Sequence, residues 1–221
     1  MSEYWFSRLR LRRDVPLSSL LPVLVKPDGY DPSVGKALMW AVFDAQERQR
    51  DFLWRDAGRG VYYTVSSRPP CNAQGIFDVD TPKDYNPAAP VGAKYQLSTR
   101  CNPTVSSRDE KGRKHRHDVA VHAIKSSTGT VEDKKAVAAA AVRDWFDRQG
   151  LKHGFKVCGE FDLGPRTTQQ VGKGKQTITF SSVDIEATIE VTDTAAFRSA
   201  LFEGLGASKV YGCGLLMIRP V

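Results

Sequence analysis

The residues best suited to chemistry lie towards the two ends of the chain. Residues 203–220 read Glu-Gly-Leu-Gly-Ala-Ser-Lys-Val-Tyr-Gly-Cys-Gly-Leu-Leu-Met-Ile-Arg-Pro, so Gly204, Gly206, Gly212 and Gly214 flank a single lysine, Lys209. Glycine lets the backbone take positive φ and lets another molecule approach the main chain. Unhindered N–H groups beside one ammonium suit a phosphate chain. Near the other end, Asp31-Pro32-Ser33 is a helix-start signal, with an N-cap candidate and Pro in the first turn. Lys36 falls in that turn, where the helix dipole disfavours a cation by roughly 0.3–1 kcal/mol. A lysine held there beside free N–H groups is a candidate for contact with a phosphate; a solvated lysine on a helix end is the plain alternative.

The charge balance points the same way. The 221 residues carry 32 Lys and Arg against 25 Asp and Glu, a net charge of +7, which favours a polyanionic partner. The cations cluster at Arg8–Arg13, Arg108–Arg116 and Lys173–Lys175. Within the second cluster Arg108, Lys111, Arg113, Lys114 and Arg116 form the strongest basic patch and are candidates for phosphate contact, with a solvated or disordered charge run as the plain alternative. Around the third, Arg166, Lys173 and Lys175 can hold a nucleic-acid backbone while Gln169 and Gln170 read base edges, with a solvated turn as the plain alternative. His115 and His117, set among arginines, read as RNA-facing or merely solvated rather than as bases; His122 reads as a strand residue and His153 as a turn residue. No His/Asp/Glu cluster has metal-ligand spacing. Cys71, Cys101, Cys158 and Cys213 are far apart, so reduced thiols are expected rather than a disulfide framework or a zinc site. No apolar run approaches the ~20 residues of a membrane span, and Met1–Arg13 has no apolar signal-peptide core; a cytoplasmic protein without membrane contact is expected.

These side chains need elements to hold them. Tyr4–Arg12 alternates as a strand with a basic face, and residues 16–30 hold Pro16, Pro22, Pro27 and Gly29, a connection with little regular structure. Helical spacing from Val34 runs to about Arg48, and Phe52–Trp54 and Val61–Val65 read as short strands. Thr81–Val91, with three prolines, reads as a linker. A second strand–helix–strand–strand–helix–strand series follows: Ala93–Cys101, a helix over Val131–Gln149, Phe155–Leu163, Ile185–Val191, a short helix over Thr192–Glu203 and a last strand over Val210–Ile218. Ser106–His117 reads as a mobile polar loop. The expected fold class is α+β: two tandem ferredoxin-like (RRM-like) βαββαβ domains over residues 1–90 and 91–221, the first less regular.

Residues 204–220 follow the pattern G-h-G-x-x-K-x-x-G-x-G-h-h-h-h-x-P (h, apolar). Together with Lys36-Ala-Leu-Met-Trp-Ala-Val-Phe43, Arg50-Asp-Phe-Leu-Trp54 and Leu97-Ser-Thr-Arg-Cys-Asn-Pro103, this resembles CasE, a family of repeat-processing endoribonucleases among the RAMP proteins of CRISPR systems. The resemblance implies the same tandem fold. It also implies binding of a CRISPR repeat stem-loop and metal-independent cleavage by a ribose 2′-OH, with a 2′,3′-cyclic phosphate as product. Retention of the crRNA in a Cascade-type complex, beside the backbone subunit adjacent to the 3′ stem-loop, would follow. No cofactor and no metal are implied. Lys36 falls where the family has its catalytic histidine, and Tyr30 is the nearest match to its assisting tyrosine. Arg100 and Asn102 lead into a region that approaches RNA in the family, the Arg166–Lys175 hairpin corresponds to one that grips the stem, and Gly204, Gly206, Lys209 and Gly212 belong to its glycine loop. The absent histidine keeps a non-cleaving RNA-binding subunit as an alternative. A small-molecule enzyme on the same scaffold is a second, and it leaves the basic clusters unexplained.

Overall fold

The computed structural model describes residues 4–16, 18–20, 25, 26, 29, 30, 34–43, 50–108, 110–173 and 176–221. In strand β1 (Trp5–Leu11) the alternation places Ser7 and Leu9 inside and Arg8 and Arg10 outside. A two-residue bridge, β2 (Val25–Lys26) with β3 (Gly29–Tyr30), precedes helix α1 (Val34–Val42), which buries Ala37, Leu38, Met39 and Val42. The helix-start signal at 31–33 and the expected helical stretch beyond residue 43 up to Arg48 lie outside the described residues.

Strands β4 (Phe52–Gly58), β5 (Val61–Ser66), β6 (Phe77–Val79) and β7 (Lys83–Asp84) complete the first sheet, in the order β4-β5-β1-β6 with β7 also on β1. That is the ferredoxin-like strand order with one element replaced. Between β5 and β6, where a second helix belongs, residues 67–76 run without regular structure. Pro69 and Pro70 lack the N–H groups a helix needs. Asn72 pins the segment instead: its side-chain amide donates to the Phe77 carbonyl at 2.7 Å and its oxygen accepts from the Phe77 N–H.

The second half is a complete ferredoxin-like unit. Its strands are β8 (Lys94–Cys101), β11 (Phe155–Leu163), β13 (Gln176–Val191) and β14 (Leu216–Pro220), in the order β11-β13-β8-β14. In β13, Ile185, Ala187, Ile189 and Val191 are buried, while Asp184, Glu186, Thr188 and Glu190 face away from the core. Helices α3 (Val131–Lys152) and α4 (Thr194–Glu203) cover the buried face with Val142, Trp145, Phe146, Phe197, Ala200 and Leu201. Thr130 and Asp133 form a reciprocal capping box at the start of α3, and Asp193 caps α4.

Three local expectations are corrected. Ser106–His117 is not a loop: β9 (Thr104–Arg108) and β10 (Lys114–Asp118) pair as an antiparallel ribbon. His122 lies on helix α2 (Val119–Lys125), whose start is capped by the Asp118 carboxylate accepting from the Val121 N–H. The last strand begins at Leu216 rather than Val210, because Lys209–Tyr211 is a single 3-10 turn entered through Ser208 at φ 58° and left through Gly212 at φ 81°.

The two sheets share an apolar seam of Leu53, Val65 and Leu215, flanked by Tyr4, Phe6, Tyr63, Tyr85, Phe202 and Met217. No described helix is long and apolar enough to cross a membrane.

Candidate nucleic-acid interface

Beside the apolar seam the sheets meet through charge. Arg100 of β8 forks onto Asp184 of β13, Nε to Oδ1 at 2.9 Å and Nη2 to Oδ2 at 3.0 Å, and its Nη1 donates to the Asp56 carbonyl of β4 at 3.3 Å. Arg55 of β4 reaches across from the first sheet, donating to Ser98 Oγ at 2.7 Å and to Asp184 Oδ1 at 3.4 Å. One carboxylate therefore serves two guanidiniums. The fork on Asp184 raises the Arg100 pKa, whereas burial lowers that of Arg55, with Asp184 opposing. A charged fork of this kind fixes orientation as well as energy.

Above this clamp lies a polar cleft of about 260 Å³. Its lining includes Val34 and Gly35 at the start of α1 and Gln169, Gln170 and Val171 of strand β12 (Thr167–Lys173). Trp54, Asp56 and Arg100 are also in its lining, with Tyr211 and Gly212 from the glycine loop. Trp54 is why two of its glycines exist. A Cβ on Gly35 would sit 2.7 Å from the indole, and one on Gly212 would sit 3.0 Å from it. Tyr211 links the parts: its ring stacks on Phe180 at 5.3 Å, and the Lys36 ammonium lies 5.8 Å from its centroid, within cation–π range. Lys36 is not in the cleft lining itself; it reaches the cleft through the Tyr211 ring that it faces.

The glycine loop is a packed seam rather than an open cradle. Gly204, Leu205, Gly212, Cys213 and Gly214 are buried. The Leu205 N–H donates to the Gly214 carbonyl at 2.9 Å, the Gly214 N–H to the Arg100 carbonyl at 2.7 Å, and the Tyr211 N–H to the Ser208 carbonyl at 2.9 Å. Those donors are committed inside the protein. Gly206 alone of the four glycines is exposed, with Trp145 beneath it. Asn102, expected at an RNA surface, is buried and holds the loop through its side-chain amide on Ser208 Oγ at 2.7 Å. Lys209 is half-buried against Gly214 and outside the cleft lining; burial lowers its pKa, followed by the charge of Arg50, with Glu203 opposing.

Two antiparallel ribbons project from this body. The β12–β13 ribbon is rooted by Val171, Ile178 and Phe180 against Cys213 and Tyr211. The β9–β10 ribbon exposes Arg108, Lys111, Arg113 and Arg116. Arg166 ties their bases together, with Nη2 on Asp118 Oδ2 at 3.1 Å and on Ser181 Oγ at 2.7 Å. The side chains of Tyr30, Lys114 and Lys173, and the whole of Lys175, lie outside the described residues. The Arg8–Arg13 cluster is partly neutralised: Arg8 and Arg10 share Asp80, at 2.7 and 2.8 Å, and Arg12 pairs with Asp14 at 2.7 Å. Among the described residues no three His, Cys, Asp or Glu side chains converge on a metal position.

The model of the CRISPR-associated protein family matches residues 4–220. The chain belongs to that family. Solved structures of the same fold include CRISPR endoribonuclease Cse3 bound to a 19 nt RNA, at 21% identity and TM-score 0.70 over 98% of this chain and 100% of that one. Thermus thermophilus Cse3 bound to an RNA representing a pre-cleavage complex matches at 21% identity and TM-score 0.66, over 99% of this chain and 100% of that one. Cas6e from Escherichia coli K-12 matches at 17% identity and TM-score 0.62, over 98% and 100%. No curated protein matches the sequence. The shared fold is the tandem ferredoxin-like arrangement. Trp54 closes one of the motifs that carry the resemblance, but the sequence alone does not mark Arg55, Asp184 or Tyr211 as site residues. Tyr211 was within reach, as an aromatic between Lys209 and Gly212 in an otherwise small-residue loop; the Arg55–Asp184 pairing spans 129 residues and leaves no local trace.

Proposed function

We propose that this protein binds the stem-loop of a CRISPR repeat RNA, cleaves the precursor at the 3′ base of the stem and keeps the product as a subunit of a Cascade-type complex. The observation that carries the reading is Tyr211, which lines the cleft and has the Lys36 ammonium 5.8 Å from its ring centroid, in a chain whose two ribbons are rich in Arg, Lys and Gln. The family supplies the CRISPR context, and the Cse3 structures of this fold are bound to RNA. In this reading residues 1–90 and 91–221 act as two units with the substrate across their seam.

The reaction is in-line attack of a ribose 2′-oxygen on the adjacent phosphorus. The bond to the 5′-oxygen breaks, leaving a 2′,3′-cyclic phosphate and a 5′-OH. A proton leaves the 2′-OH and another reaches the departing 5′-oxygen. An ammonium at neutral pH is an acid and an electrostatic partner rather than a base. Lys36 therefore stabilises the dianionic phosphorane and protonates the leaving oxygen, with Tyr30 assisting removal of the first proton. The RNA surface is formed by the Arg108–Arg116 ribbon and the Arg166–Lys175 ribbon, which hold the backbone, with Gln169 and Gln170 on base edges. Asn102, Gly204 and Gly212 serve that surface by shaping the loop, and Arg100 by orienting the seam.

A non-cleaving RNA-binding role is the second reading, favoured by one observation: the chain's four histidines are His115, His117, His122 and His153, and none lines the cleft. A labelled repeat RNA incubated with the protein in excess EDTA, beside a copy with a 2′-deoxy sugar at the scissile nucleotide, separates the two. Cutting of the first alone supports the enzyme. Binding of both without cutting supports the second reading, and failure to bind either overturns both.

A further inference from the structure

Three of the chain's four histidines stand in one row. His115 and His117, at alternate positions of β10, project from the same face of the ribbon, and His122 of α2 continues the line. Ring centroids are 6.4 Å apart for His115–His117 and 5.7 Å for His117–His122, with interplanar angles of 29° and 28°. His117 is fixed in the middle by a contact of Nε2 with Ser107 Oγ at 2.9 Å. His115, nearer the ribbon tip, is exposed.

The orientation distinguishes what such a row can do. A proton relay or a metal site needs ring nitrogens that converge on a shared atom. Here the ring planes lie 29° and 28° from parallel, at separations inside the range of aromatic pairs, an arrangement of rings rather than of converging nitrogens. The strand register assigns the two faces of the ribbon different chemistry. His115 pairs with Ser107 and His117 with Val105 on one face, while Arg116 pairs with Ser106, and Arg108 shares its face, on the other. A single-stranded nucleic acid is two-sided in the same way, with phosphates along one edge and flat bases along the other. Proteins that hold unpaired strands combine cations for the backbone with aromatic rings for the bases.

We infer that the His115–His117–His122 row is a stacking platform for an unpaired base of the bound RNA next to its stem, with Arg108 and Arg116 on the phosphate side. This rests on the RNA-binding reading above and adds a site that reading does not use. Base–aromatic stacking contributes about 1–3 kcal/mol per base. Loss of one stacked base at the lower to middle part of that range weakens binding about 5- to 30-fold.

The test uses the full chain and two non-cleavable repeat hairpins with a 2′-deoxy scissile sugar, one flush-ended and one with unpaired flanks carrying single 2-aminopurines. The expected result is quenching of 2-aminopurine at one or two flank positions by the wild type. His115→Ala and His117→Ala should abolish that quenching and weaken the flanked RNA about 5- to 30-fold with the flush hairpin unchanged. His115→Phe, which keeps the ring without the imidazole nitrogens, should retain quenching. Equal loss on both hairpins would assign the histidines to the stem or to charge and overturn the platform. Unchanged binding and quenching in the alanine variants would overturn it as well, while leaving RNA binding intact. Failure of the wild type to bind either hairpin removes the functional reading and this inference with it.

Discussion

Replacing Asp184 by Asn keeps the shape at the seam and deletes the charge that two guanidiniums share. The size of the effect follows from the environment. Two unit charges about 4 Å apart attract by about 4 kcal/mol at an effective dielectric of about 20. Exposed ion pairs retain only about 0.2–1 kcal/mol of this after screening, whereas breaking a buried pair costs about 3–5 kcal/mol because a charge is stranded. The side chain of Arg55 is 12% exposed and that of Arg100 27%, but Asp184 itself is 37% exposed. Water thus reaches the carboxylate side and recovers part of the loss. An intermediate value of about 2–3 kcal/mol is expected, or a fall in Tm of about 5–10 °C for a chain of this size. Thermal and urea unfolding followed by circular dichroism measure it. Asp14→Asn, which breaks the surface pair with Arg12, is the control and should leave Tm where it was; the Asp14 side chain is 72% exposed. Adding Arg55→Met to Asp184→Asn should recover part of the loss, since it removes one stranded charge. A second consequence separates the clamp from RNA contact. A freed Arg100 gains access to phosphate, so the slope of log K against log salt for a repeat hairpin should steepen by about 0.7–0.9 per added contact. A stability loss below about 0.5 kcal/mol would place Asp184 among ordinary screened surface charges and refute the clamp.

Three further outcomes follow from the site and its supports. Lys36→Ala should slow single-turnover cleavage by about 10²- to 10³-fold with hairpin affinity nearly unchanged, as for loss of a group acting on developing charge; cleavage at the wild-type rate removes Lys36 from the mechanism. Gly212→Ala meets Trp54 at 3.0 Å from a residue at φ 81°. Left-handed strain and overpacking together should therefore destabilise by about 2–4 kcal/mol, read from denaturant midpoints. At the start of α3, Thr130→Ala should cost about 1 kcal/mol near neutral pH. Hydrogen bonds from the Thr130 backbone and side chain lower the Asp133 pKa from 3.8, so this carboxylate stabilises the folded state above that value and loses its contribution as pH falls below it. The gap between Thr130→Ala and wild type should hold from pH 5 to 8 and narrow in acid, which stability curves against pH would show.

Periodicity made the second half legible. The alternation of Asp184–Val191 and the capped alanine-rich helix carry their own burial pattern, and both elements form where the spacing places them. The first half was less regular because its second helix is replaced by a proline-containing segment held by Asn72, a substitution that hydrophobic patterning does not encode. Residues 106–117 form a ribbon that patterning does not reveal, for a related reason. Their polar run has no buried face to reveal a strand, and the ribbon is defined by its own ladder instead.

The candidate site divides along the same line. Lys36 and the exposed cations were visible because cost or clustering marks them in sequence. The glycines were visible but their purpose was not. Gly212 makes room for the Trp54 indole, and the Gly214 N–H is bound to the Arg100 carbonyl rather than open to a ligand. Glycine content alone cannot separate a ligand cradle from a packed seam, because both need positive φ and close approach. What separates them is the destination of each N–H: here Leu205 and Tyr211 bond within the loop, and Gly214 bonds to Arg100, 114 positions away. The loop's contribution to function is accordingly indirect. The loop seats Trp54 and presents Tyr211, the ring that lines the cleft and carries the Lys36 ammonium 5.8 Å from its centroid, so it shapes the cleft through packing rather than through free N–H groups.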